Sequence, residues 1–208
     1  MSIVKLNNRG VRSATTFGSI SALGEMRFIK KLTASASATL SFVDGTSDVV
    51  LDDTYKEYLF TFNNMHPSST GEPDLTFNLS IDSGSNYNVA KTSTAFSSNH
   101  NEDDSATELT YLSGQDLAQG TGFQEINLNF DGSHNDGSVS GYLHIFNPSS
   151  TTFVKHYTAT TSSMHESSRA YNQYTAGYGN TTSAVDAVQF KMSDGNIDAG
   201  DICLYGIN

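Results

Sequence analysis

An antiparallel β-sandwich of jelly-roll type with an extended N-terminal arm is the fold this sequence predicts, and three observations predict it. The 208 residues are 37% hydrophobic and only 16% charged, with three prolines. Phe, Tyr, Val and Ile are spaced by Ser, Thr, Asn, Asp and Gly, the vocabulary of strands and turns rather than of helices. Apolar residues recur at every second position in run after run, which is the period of a half-buried strand. Turn signals such as Asp44-Gly45, Asp136-Gly137 and Asp194-Gly195 break those runs; spaced roughly every 8–12 residues, such signals are the rhythm of an all-β sandwich or barrel. No blocks of helical periodicity alternate with the strands, so βαβ units are not expected.

Residues 1–25 read as an arm and 26–208 as the body. The arm lacks sustained periodicity and is punctuated by Asn7-Asn8-Arg9-Gly10 and Gly18-Ser19, yet Ile3, Val4, Leu6, Val11, Phe17, Ile20 and Leu23 give it apolar anchors. Strand runs are expected from Met26, through Leu40–Val43, from Tyr58 to a stop at Asn63-Asn64-Met65-His66-Pro67, and over Leu75–Ile81. Thr92 to Gln119 is weakly patterned. Phe123–Phe130 and Val139–Phe146 flank Asn135-Asp136-Gly137 and predict a hairpin, since such dipeptides supply the positive φ of tight reversals. Phe153–Thr161 and a segment near Tyr171–Tyr178 follow. The chain finishes on Val185–Met192 and Ile202–Ile207, which read as a closing hairpin that completes the core. Roughly nine to eleven strands are expected in all.

Charge divides the chain. Residues 1–31 carry six basic side chains against Glu25 alone, net +5, and the remainder is net −16. Phosphate backbones demand clustered cations, so an acidic body argues against nucleic acid as a partner. No run approaches the roughly 18 apolar residues of a membrane span, and no charged start leads into an apolar leader. A soluble protein made in a cytoplasm is expected, with no membrane partner. Cys203 is the sole cysteine, which leaves no intramolecular disulfide or thiolate cluster and suggests a buried structural thiol.

Candidate chemistry is sparse. His66, His100, His134, His144, His156 and His165 show no ligand spacing. Asp131-Gly132-Ser133-His134-Asn135-Asp136-Gly137 alternates oxygen side chains, but its glycine falls one place late for a calcium loop and no chelating Glu follows. Glu102-Asp103-Asp104 is a candidate cation loop and the Asp194–Asp201 connection a candidate cation or partner loop, although acidic loop tips are ordinarily solvated and the connection reads mainly as a turn. There is no G-x-S-x-G elbow and no phosphate-cradling glycine loop. No cofactor and no enzymatic activity are expected. Tyr171, Tyr174, Tyr178 and Asn180 form a Tyr/Asn/Gly-rich segment of a type that stacks on sugars.

Three stretches resemble virion structural proteins of marine tailed phages, including cyanophages. They are Tyr55–Pro67, a strand running into an Asn-x-His-Pro turn; Leu75–Tyr87, a strand running into Ser80-Ile81-Asp82-Ser83-Gly84-Ser85-Asn86-Tyr87; and Phe190–Ile207 with its Gly195–Gly200 link. Ser83 stands where those proteins commonly have glycine. The resemblance covers most of the body, in the same order along the chain. It implies a β-sandwich module of a virion, in a tail, fibre or capsid-decorating position, assembled in the host cytoplasm. Lys5, Arg9, Arg12, Phe17, Lys30 and Lys31 are then the residues expected to meet other virion proteins or copies of the chain itself, because the net +5 segment 1–31 complements the net −16 remainder. The alternative is a carbohydrate-binding module that recognises host surface glycans through Tyr171, Tyr174, Tyr178 and Asn180.

Overall fold

The computed structural model describes residues 26–208. The expected arm, with Lys5, Arg9, Arg12 and Phe17, lies outside them. The body is an antiparallel β-sandwich without a helix among the described residues. Its thirteen strands are β1 (Met26–Thr33), β2 (Leu40–Val43), β3 (Glu57–Pro67), β4 (Leu75–Ser80), β5 (Lys91–Asn101), β6 (Thr107–Tyr111), β7 (Ala118–Gly120), β8 (Gln124–Glu125), β9 (Val139–Phe146), β10 (Lys155–His165), β11 (Arg169–Gly179), β12 (Ala187–Met192) and β13 (Ile197–Ile207). A nine-stranded sheet runs β1-β13-β3-β9-β10-β11-β5-β6, with β7 also on β5; a four-stranded sheet runs β2-β12-β4-β8. The strands beyond the expected nine to eleven are short pieces of two to five residues, β6, β7 and β8.

Alternation sets the faces. In β3, Tyr58, Phe60, Phe62 and Met65 point inward and are fully or almost fully buried. β10 alternates buried and accessible residues over all eleven positions, although Thr161, Ser163 and His165 stand where apolar residues would be expected. β4 is buried at every position. It lies between β12 and β8 with one face on the core and the other beneath the 112–131 connection, where Asn78 donates to the Thr121 carbonyl at 3.0 Å.

Both expected hairpins are corrected. β12 pairs with β2 and β4 in the small sheet, whereas β13 pairs with β1 and β3 in the large one. The link at 193–196 therefore crosses between sheets. It runs beside the 68–74 link, which crosses in the same way from β3 to β4. Ser193 N–H donates to the Asp74 carbonyl at 2.8 Å and Ser68 N–H to the Asn196 carbonyl at 2.9 Å. Each of the two strands is so apolar that it needs a partner on both sides, which a closing pair at a sheet edge would not supply. Phe123–Phe130 likewise joins the edge of the small sheet through Gln124–Glu125, while β9 sits between β3 and β10. Asn135–Gly137 turns the chain without pairing those two runs.

The Asn63–Pro67 stop is also corrected. β3 continues to Pro67 through an irregularity between Phe62 and Met65, where Asn64 takes a φ of +50°. Opposite it, Gly200 at φ +112° packs so closely that a Cβ would lie 2.6 Å from the Asn64 carbonyl oxygen. The two irregularities face each other and let the strands stay paired.

Ser83 adopts a φ of +58° in the β4–β5 connection, where its N–H donates to both oxygens of the Asp186 carboxylate, at 3.0 and 2.9 Å. Left-handed backbone is costly for any residue with a Cβ, so the conformation itself favours the glycine that the resemblance expects. Ser83→Gly should keep the hydrogen bonds and gain about 0.5 kcal/mol, the relief of strain less the extra freedom of the unfolded chain. A thermal melt checks this; an unchanged or lower midpoint would show that the serine is unstrained.

Candidate functional site

The outer face of the large sheet carries a shaped depression. Antiparallel registers place residues of β5, β11, β10 and β9 in rows across the strands. One row contains Phe96, Tyr174, Thr160 and Tyr142; the next Thr94, Ala176, Thr158 and His144; a third Thr92 and Tyr178, with His156 opposite Tyr178. Strand alternation puts all of them on the face away from the core. Phe96 and Tyr174 lie nearly parallel, with ring centroids 4.9 Å apart and planes 12° from one another. Two depressions of about 390 and 230 Å³ share Thr94, Thr158 and Ala176 and so form one trough. Its floor is of small residues, and its ends are walled by Phe96–Tyr174 and by Tyr178, His156 and Phe146. Four residues separate the two walls along a strand, about 13 Å at the rise of an extended chain.

Of the expected glycan residues, Tyr174 and Tyr178 line this trough. Tyr171 does not: an odd number of residues separates it from Tyr174 and Tyr178, so it points to the opposite face, where it is 4% exposed and packs on His165 at 5.3 Å between ring centroids. Asn180 follows the end of β11 and donates to Gln119 Oε1 at 2.5 Å. Sequence reasoning missed Phe96, Thr158, His156 and Phe146. Only the Phe96 position in an otherwise polar run hinted at them, since register across strands decides which residues become neighbours.

Lys30 and Lys31 belong to β1 rather than to the arm's approach. Lys31 Nζ lies 3.3 Å from Asp201 Oδ2, and Thr33 donates to the other carboxylate oxygen at 2.5 Å. The Thr33 hydroxyl and the Lys31 ammonium hold the Asp201 carboxyl below its ordinary range.

The histidines are dispersed. His134 Nδ1–H donates to Asp131 at 2.6 Å, His100 lies 3.0 Å from Asp104, and His144 lies 2.9 Å from Glu57 without hydrogen-bond alignment. Burial pushes the Asp131 carboxyl up, but hydrogen bonds from Ser133 and His134 outweigh it, so the group sits below the ordinary carboxylate value. Those bonds occupy the oxygens that a calcium loop would use. The Asp194–Asp201 carboxylates are also apart, Asp194 accepting from Ser69 at 2.5 Å. No group of three or more His, Cys, Asp or Glu side chains is placed to hold a metal ion among the described residues. Cys203 is a buried free thiol.

Among the described residues, two lysines are buried without a carboxylate partner. Lys155 donates to the carbonyls of Ser150, Phe153 and Thr181 at 2.7, 2.7 and 3.2 Å, fastening two loops to the end of β10. Lys91 donates to Asn78 Oδ1 at 2.5 Å and to the Val89 carbonyl at 2.9 Å, and burial pushes its ammonium down to about 7. Neither lines the trough, so neither is placed to attack a ligand there.

No protein-family model matches the chain, no curated protein matches it, and no solved structure matches its fold.

Proposed function

We propose that the chain is a structural, non-enzymatic subunit of a tailed-phage virion, in a tail, fibre or capsid-decorating position, that assembles through its N-terminal arm. The observation that carries this reading is where the three phage-like stretches fall. Tyr55–Pro67 and Phe190–Ile207 contain the paired strands β3 and β13, and Leu75–Tyr87 contains β4, the partner of β12. The resemblance thus takes in strands of both sheets and the 193–196 link that crosses between them. Residue 26 opens β1, which ends the strand path of the large sheet among the described residues, so the arm joins the body at that strand. Its partners are other virion proteins and copies of the chain, with neither nucleic acid nor membrane involved, and its location is the virion, assembled in the host cytoplasm. Deleting residues 1–24 is expected to leave a folded body that no longer enters particles. Normal incorporation of the truncated chain would remove the arm's role.

A second reading is favoured by the trough. Ring faces separated by a threonine and alanine floor suit a short neutral oligosaccharide, whose rings stack on aromatics and whose hydroxyls meet Thr94, Thr158 and Thr160. A glycan array probed with the full chain tests it. Phe96→Ala and Tyr174→Ala should each abolish any binding seen, while Tyr171→Phe leaves it unchanged. A chain that binds no host polysaccharide at millimolar sugar has no such role.

A further inference from the structure

Both ends of the large sheet are open strands among the described residues, and their surfaces are complementary. β1 and β6 end the strand path, each hydrogen-bonded to a neighbour on one side only. Four of the five most exposed large apolar side chains of the body stand on these two short strands: Met26 and Phe28 on β1, Leu109 and Tyr111 on β6, at 53, 59, 74 and 60% exposure. Unpaired edges bearing apolar side chains are templates for pairing with another chain. Their charges are opposite. β1 carries Arg27, Lys30 and Lys31 and no acidic residue; β6 carries Glu108 and follows the Glu102-Asp103-Asp104 tip, with Arg169 the cation nearby.

Direction also agrees. Every pairing along the path from β1 to β6 is antiparallel. The path has eight strands, so β1 and β6 run in opposite senses. A second copy set against the first by continuing the sheet brings its β6 antiparallel to β1, the same relation found at every interior pair. β1 against β1 would instead oppose two basic strands, and β6 against β6 two acidic ones, each disfavoured by like-charge contact.

We infer that copies of this chain associate head to tail, β1 of one subunit against β6 of the next, extending the nine-stranded sheet across the contact. Such a heterologous contact closes into a ring or grows into a filament, according to the rotation between copies. It uses the body's own edges and stands whether or not the arm docks into a virion.

The test is sedimentation velocity on the full chain over a range of concentration and salt. Mass should rise with concentration and fall with added salt, as for an interface steered by exposed charges. Arg27→Glu with Lys30→Glu makes both edges acidic; Glu102→Lys with Glu108→Lys puts lysines on both edges and cancels the charge of Asp103 and Asp104. Each double variant, confirmed as folded by its thermal melt, should associate about tenfold more weakly or worse. An equimolar mixture of the two should associate again, because each then offers the edge that the other lacks. A full chain that stays monomeric throughout overturns the inference. So does wild-type association by the Glu102→Lys/Glu108→Lys variant, or a mixture of folded variants that fails to recover.

Discussion

Replacing Phe190 with alanine is expected to destabilise the body by about 3–5 kcal/mol, the range for deleting a fully buried aromatic ring. Phe190 is 0% exposed on the central strand of the small sheet. Its ring meets Phe60 and Phe62 of β3 at 5.3 Å each, Phe42 of β2 at 6.2 Å and Phe77 of β4 at 6.4 Å. Phe60 and Phe62 come from the large sheet and Phe42 and Phe77 from the small one, so this ring joins the two layers. Its removal loses the transfer free energy of the ring and leaves a cavity between sheets that cannot close without moving strands paired on both sides. Against the roughly 5–15 kcal/mol by which domains are usually stable, that is a large fraction. Urea denaturation measures it, with Phe153→Ala, an exposed position, as the control expected to change stability by no more than about 0.5 kcal/mol. A Phe190→Ala loss below about 1 kcal/mol would show that the cluster does not couple the sheets.

The second large effect is a rise of stability with pH between about 7 and 10, and its source is Lys91. Burial lowers the folded-state value to about 7, from the ordinary lysine value of 10.5. Below pH 7 both folded and unfolded chains hold the proton, and the cost of a buried ammonium is present in full. From 7 toward 10.5 the folded chain has released the proton and the unfolded chain has not, so unfolding takes up a proton and stability rises, by at most about 1.4 kcal/mol per pH unit. The hydrogen bonds to Asn78 and Val89 favour the charged form and so oppose the shift, which limits the width of that pH window and not the slope within it. Tyr58 and Tyr157, which burial holds protonated, reverse the trend above about pH 10, where tyrosines of the unfolded chain ionise. On the acid side Asp74, pushed up to about 6 mainly by burial, stabilises the fold below pH 3.8 and loses that contribution as pH rises through 6. Lys91→Met should flatten the slope between pH 7 and 10 and leave the protein at pH 6 either unchanged or up to about 4 kcal/mol more stable, as when buried charges give way to apolar groups of similar size. Denaturation midpoints at pH 6, 8 and 9.5 decide it. A slope unchanged by the substitution would assign it to other groups.

The candidate surface was partly legible. Tyr174 and Tyr178 were visible as a tyrosine-rich segment and do line the trough, but Tyr171 was grouped with them on nearness in sequence. Three positions reverse the face of a strand, so Tyr171 is core. Phe96 was invisible as a partner of Tyr174, because their stacking depends on β5 pairing with β11 in one register across a gap of 78 positions. Lys91 gave no sign of burial, since nothing in Ala90-Lys91-Thr92 announces that the 112–131 connection folds over that end of the sheet.

Taken alone, the sequence determined that the body is all-β, where most strands lie and, in a cleanly alternating run such as Tyr58–Phe62, which side chains face inward. Those properties depend on the alternation of residues only two apart, which a linear reading contains. Strand partners were decided by the tertiary structure. Asp194-Gly195-Asn196 reads as a hairpin turn, yet it carries the chain from one sheet to the other, because β12 and β13 each bury more apolar surface between two neighbours than they would against one another. β13 instead joins β1, with Lys31 paired to Asp201 across 170 positions. Local propensity can shape a turn, but the choice of partner rests on the whole core that closes around it.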